Sequence, residues 1–212
     1  MTASSEVLAP AVHEDPEVSG HDTRRGGMDP ALLGMMLFIA SEVMFFAALF
    51  AAYFNARATL PVFPPEGYDH ILEPVPIALV ATTILLLSSL TMQWGTTRIR
   101  QGDRTGLNRA VAVTLVLGVM LLAIQLYDYY ELITVERFGI DSGVYGTLFY
   151  TMTGFHGAHV LGGVVGLAVI LSRGVTGQFT RRHHVAVEAV HYYWHFVDVV
   201  WVFLFLTLYV IK

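Results

Sequence analysis

Five stretches of this chain are each long enough and apolar enough to cross a hydrocarbon core as a helix. They are Pro30–Ala56, Pro76–Thr97, Ala110–Tyr127, Tyr145–Ser172 and Ala189–Ile211, where about 20 helical residues suffice. Lipid offers backbone N–H and C=O groups no partners, so only helices and closed barrels can span it. The windows lack the period-2 alternation of barrel strands. Composition agrees: 55% of the residues are apolar and 14% charged, against roughly 45–50% and about 25% in an ordinary soluble domain. The fold class read from this is all-α, a polytopic membrane bundle of five transmembrane helices over about 30–56, 76–97, 110–131, 145–172 and 188–211.

The rest of the chain is polar and short. Residues 1–29 hold Glu6, Glu14, Asp15, Glu17, Asp22 and Asp29 and lack the basic start and apolar run of a secretory signal. A polar, mobile tail is expected there, ahead of a transmembrane domain over 30–212. The first connection, Asn55 to Glu73, contains Pro61, Pro64, Pro65 and Gly67, which regular helix does not accommodate. Breaks are also expected at Gln101-Gly102-Asp103, Gly139 to Gly143 and Gly174 to Gly177. A net charge of −5 gives no footprint for nucleic acid. The absence of cysteine excludes disulfides, thiolate metal sites and iron–sulfur clusters.

Basic residues set the expected orientation. Arg24, Arg25, Arg98, Arg100, Arg104, Arg109, Arg173, Arg181 and Arg182 fall on one side, and Arg57, Arg137 and Lys212 on the other. The positive-inside rule then puts the N-terminus inside and the C-terminus outside. Trp94, Tyr127, Tyr129 and Tyr130 suit interfacial belts near the helix ends.

Ionisable residues at mid-membrane are the informative exceptions. Glu42 lies at the middle of the first window, where an ionised acid costs on the order of 2.5–3.5 kcal/mol even on gentle insertion scales. It must be protonated, paired or turned toward protein. His156 and His159 sit near the middle of the fourth window and Asp198 near that of the fifth. Glu188, His191, His195 and Asp198 are spaced 3, 4 and 3, which at about 100° per residue keeps them within an arc of about 80°. A buried hydrogen-bond network that fixes helix register is the simpler reading of these groups. A proton relay, an ion path and metal ligation are the functional ones.

Metal and haem have little to stand on. His191-x-x-x-His195 has ligand spacing and Glu188-x-x-His191 echoes the di-iron Glu-x-x-His, but no second such motif is present and a di-iron bundle needs two. His156 and His159 are too close together to serve two haems stacked across a membrane. No metal ligands are assigned. Gly154, Ala158, Gly162 and Gly166, with Gly163 beside them, form a small-residue stripe suited to close helix packing.

Longer strings resemble a known family. Trp194-His195-Phe196-Val197-Asp198-Val199-Val200-Trp201, within residues 190–210, resembles the last helix of subunit III of the haem–copper cytochrome c oxidases. Thr153-Gly154-Phe155-His156-Gly157-Ala158-His159-Val160 is similar to the family's Thr-Gly-Phe-His-Gly-Leu-His-Val. Ser41-Glu42-Val43-Met44-Phe45-Phe46 is similar to its Ser-Glu-Val-Leu-Phe-Phe, whose glutamate is carbodiimide-reactive. Gln125 to Glu131 resembles its Gln-x-x-Glu-Tyr-Tyr-Glu, with Asp128 where the family usually has Glu. Asp141-Ser142 exchanges two residues of the family's loop. The ordered match covers about residues 35–211, and the missing first two helices of the seven-helix form make it similar to the five-helix bacterial version.

The resemblance implies a non-catalytic subunit of an aa3-type oxidase in a bacterial plasma membrane. In such a complex it binds no haem or copper, which belong to partner subunits, and it holds structural phospholipid. It packs on subunit I, supporting proton uptake and protecting the catalytic site. Subunit II, small subunits or a supercomplex are further contacts. Glu42 is the implied proton-related residue, and Arg173 and His183 match positions that hold lipid headgroups. Two alternatives stay open at this point: the equivalent subunit of a quinol oxidase or nitric oxide reductase relative, and a small proton-coupled transporter using Glu42, His159 and Asp198. Against the transporter stands the lack of visible inverted repeats.

Overall fold

A computed structural model describes residues 29–64 and 76–211. It contains five helices: α1 (Pro30–Thr59), α2 (Pro76–Arg100), α3 (Arg104–Thr134), α4 (Gly143–Val175) and α5 (Val185–Phe205), the last continued by a π-turn over Leu206–Val210. All five are long and apolar enough to cross a membrane, and no strand occurs among the described residues. Most of the expected tail, and the Pro65 to Glu73 part of the first connection, lie outside the described residues.

The helices outrun the apolar windows at most ends, for local reasons. Asp29 caps α1 by accepting from the Ala31 N–H at 2.9 Å, with Pro30 at the first helical position, where its missing donor costs nothing. The same helix continues through Asn55–Thr59, where the sequence suggested a connection, and stops only ahead of Pro61. Asp103 likewise starts α3 at Arg104, six residues before the apolar window, by accepting from the Gly106 N–H at 2.8 Å. An apolar window measures the hydrocarbon span, whereas a capped helix can run on into the headgroup layer. Gly102, at φ 89°, supplies the left-handed residue that closes α2, and the Asp103 N–H reaches back to the Arg98 carbonyl at 3.0 Å. That geometry is a Schellman-type stop.

Short turns make chain neighbours from α2 onward pack side by side, and α5 closes the ring against α2. The α2–α5 seam is antiparallel, with Trp201 opposite Thr82, His195 opposite Ser89 and Glu188 opposite Arg100. Trp194 fills the centre. It is fully buried, donates from Nε1 to Ser88 Oγ at 3.0 Å, and lies between Gly118 and Gly163, where an added Cβ would sit 2.8 and 2.6 Å from its ring carbons. Gly163 thus makes a closer approach than the fourfold stripe beside it, where Gly154, Gly162 and Gly166 face the looser contacts of Tyr129, Tyr193 and Val190 side chains.

Helix α1 stands outside this ring. It packs against α4 and α5, and only Phe46, Tyr53 and Ala56 of it are buried. Aromatic edges hold it, Phe45 on Phe155 and Phe46 on Phe196 at centroid distances of 4.9 and 6.3 Å. Near one end, Phe63 bridges Tyr53 and Tyr145.

Candidate functional site

The solitary acid of α1 finds its partner on α4. Glu42 Oε2 lies 3.0 Å from His159 Nε2. The other ring nitrogen, Nδ1, is 2.7 Å from the Phe155 carbonyl one turn earlier. A carbonyl only accepts, so Nδ1 carries hydrogen. In a neutral imidazole Nε2 then has a lone pair, and the contact with Glu42 requires one proton between the two atoms, on the carboxyl or on the ring. Tyr193 OH donates to the His159 backbone carbonyl at 3.0 Å. Phe46 sets its edge against the imidazole at 5.1 Å, so the pair sits in a largely aromatic wall.

The four polar residues that share one arc of α5 divide among different neighbours. His195 Nδ1 contacts Ser89 Oγ of α2 at 2.7 Å and Asp198 Oδ2 at 3.4 Å. Asp198 is buried, and neither of its oxygens receives a well-directed hydrogen bond. His191 stacks edge-on against His195, ring centroids 4.3 Å apart, with its Nδ1 buried and unpartnered. Glu188 belongs to the other end of the seam: Arg100 donates to it from Nη2 at 2.9 Å and Nε at 3.2 Å, and His184 lies 3.3 Å away. A common face on one helix does not make one network, because the neighbours of that face change along its length. His156 stands apart from all of these. Its Nε2 is 3.2 Å from the Val197 carbonyl and its ring lies over Trp201 at 5.1 Å. Among the described residues, no three His, Asp or Glu side chains converge as a metal site.

Sequence reasoning missed a further cluster and misplaced one of its members. Tyr129 is not a belt residue. Its hydroxyl turns inward to Thr153 Oγ1 at 2.7 Å and accepts from Gln125 Nε2 at 3.2 Å, while the same amide reaches the Thr153 carbonyl at 2.8 Å. Tyr127 and Tyr130 do face outward, as does Trp94, capped by the Arg98 guanidinium at 5.0 Å. The signal available was Gln125, a buried-capable amide one helical turn before Tyr129.

Arg173 and His183 come together with Gln178, Phe179 and His184 around one pocket at the α4–α5 connection. Arg173 Nε donates to Gln178 Oε1 at 2.9 Å, and its guanidinium lies over the Phe179 ring at 5.1 Å.

Comparison with known proteins completes the picture. A family model described as cytochrome c oxidase subunit III matches residues 11–212. A "Cytochrome c oxidase subunit 3" from Sus scrofa is 42% identical over 181 residues, covering 83% of this chain and 67% of the relative. One from Scyliorhinus canicula is 43% identical with the same coverage. A "Probable cytochrome c oxidase subunit 3" from Nocardia farcinica is 42% identical over 181 residues and nearly coextensive, at 85% of this chain and 87% of the relative. With five spanning helices and motifs that match in order, the chain belongs to the cytochrome c oxidase subunit III family.

Proposed function

We propose that this chain is the non-catalytic third core subunit of an aa3-type cytochrome c oxidase in a bacterial plasma membrane, oriented with its N-terminus inside. It packs against subunit I, sustains proton uptake there and protects the catalytic centre during turnover. Haem and copper reside in subunits I and II, and this chain contributes protein surface and phospholipid.

The observation that carries this reading is the Glu42–His159 pair. A carboxyl at mid-membrane is joined to an imidazole through one proton and enclosed by aromatic side chains. Such a pair suits a group whose charge is managed by the protein, without an ion path of its own. The histidines support the same reading. Both ring nitrogens of His159 are engaged, by Glu42 and by the Phe155 carbonyl, so that ring would have to break a contact to ligate, and among the described residues no three His, Asp or Glu side chains converge as a metal site. At the α4–α5 connection, Arg173 keeps both terminal nitrogens clear of Gln178 and, with His183 beside it, forms a basic pocket suited to an anionic lipid headgroup.

The test is the oxidase purified from cells with and without this chain. The complex lacking it is expected to keep its haem spectrum and to lose activity faster per turnover at neutral pH. Equal inactivation rates refute the protective role.

A further inference from the structure

Helix α5 lies between α1 and α2, and the strip that neither of them covers carries Val199, Leu206 and Val210, which are 54%, 40% and 57% exposed. This strip is the floor of a trough. On the α1 side its wall is an apolar groove formed with Val43, Phe46, Phe50 and Phe203. On the α2 side exposed Leu79 and Leu86 alternate with a line of polar side chains. Trp201 donates to Thr82 at 2.9 Å, His195 meets Ser89, Gln93 is exposed, and Arg100 holds Glu188.

Most of that polarity is consumed internally, but Gln93 and His195 are exceptions, and of the two His195 lies at mid-span. Its side chain is 33% exposed, Nδ1 is occupied by Ser89 and faces Asp198, and among the described residues nothing bonds Nε2. The Ser89 hydroxyl is the other donor near Asp198; when it donates there its oxygen accepts from Nδ1–H, which fixes the ring with Nε2 toward the trough. The residue lies near the middle of the span Val185–Val210. At that depth acyl chains offer no hydrogen bond and headgroups do not reach, so an unmet ring nitrogen favours a protein partner. A lipid tail would suit the apolar surfaces and leave Nε2 unanswered.

We propose that the trough receives a transmembrane helix of another subunit, its apolar side chains in the α1/α5 groove and one hydroxyl or amide side chain hydrogen-bonded to His195 Nε2. Both side-chain types can donate or accept, and so can meet either protonation state of the ring. The existence of a partner subunit rests on the oxidase reading; the face it uses and the chemistry it presents rest on the trough.

The experiment uses the complex isolated through a tag on this chain. Val199→Trp fills the trough floor, and Val165→Trp, on the exposed side of α4, is the control. Haem co-purifying per tagged chain is expected to fall at least fivefold for Val199→Trp and to stay within twofold of wild type for Val165→Trp. Separately, a benzophenone amino acid at Val199 is expected to photo-couple to a transmembrane helix of a different subunit, within one turn of a Ser, Thr, Asn, Gln or Tyr. This second measurement decides if Val199→Trp loses helicity. Wild-type retention by a helical Val199→Trp, or an adduct to lipid, to a second copy of this chain or to an extramembrane segment, overturns the proposal. Haem absent even from wild-type preparations would refute the oxidase reading itself, whereas haem retained with Val199→Trp refutes only the assigned face.

Discussion

Replacing Glu42 tests the shared proton directly. With Nδ1 of His159 committed to the Phe155 carbonyl, a neutral pair has the carboxyl O–H donating to Nε2 across 3.0 Å. Glutamine places an N–H donor at the same reach, so Glu42→Gln is expected to stay within about 0.5 kcal/mol of wild type, well below the usual cost of an orphaned polar group. Leucine leaves Nε2 without a donor. Interhelical hydrogen bonds in membranes average about 0.6 kcal/mol and reach about 1.7; an orphaned buried group costs about 1–3. Glu42→Leu is therefore expected to lose about 1–2 kcal/mol. Glu42→Lys adds a mid-membrane charge worth about 2.5–3.5 kcal/mol on insertion scales, and is expected to reduce the amount of inserted chain. The assay is unfolding of the micelle-solubilised protein by denaturing detergent, followed by circular dichroism, with His159→Phe and the Glu42→Leu/His159→Phe pair completing a double-mutant cycle. Equal losses in the Gln and Leu variants, or strict additivity in the cycle, refute the one-proton bridge.

Two further outcomes follow from packing and charge. Gly163→Ala pushes a methyl group against the Trp194 ring and is expected to cost about 1–3 kcal/mol; combined with Gly118→Ala the loss is expected to be non-additive, since both press on one ring, as thermal unfolding in detergent would report. Arg173→Gln is expected to lower the acidic phospholipid retained by the purified protein, measured by mass spectrometry of extracted lipid, and unchanged lipid content would remove the headgroup assignment.

The helices were legible because lipid leaves a spanning backbone so few options, and the depth of Glu42, His159 and Asp198 followed from counting along each window. Facing was not legible. Whether Glu42 meets α4 or α5 depends on how α1 is rotated and where it docks, and nothing local to residues 35–50 encodes that. Ser89 illustrates the same limit: a serine in mid-helix draws no notice until α5 brings His195 against it. Tyr129 was misread because interfacial enrichment is a rule about depth, silent on direction; the inward turn comes from Gln125 and Thr153, the latter on the next helix. The arc on α5 was real as geometry, yet Arg100 draws Glu188 into a surface ion pair that sequence spacing alone could not foresee. Trp194 was recognisable within its motif, while the two glycines that admit its ring, Gly118 and Gly163, lie on different helices.

Because α1 docks on the last two helices, 117 positions separate Glu42 from the imidazole that answers it. At typical synthesis rates of about 5–20 residues per second, that interval lasts roughly 6–23 s. Throughout it α1 sits in the bilayer with an unanswered acid and no docking surface. Any surveillance protease or insertase that senses unshielded carboxyls therefore has its opportunity during biogenesis, and substitutions that delay α4 would be felt as shortened lifetimes of a segment they never touch.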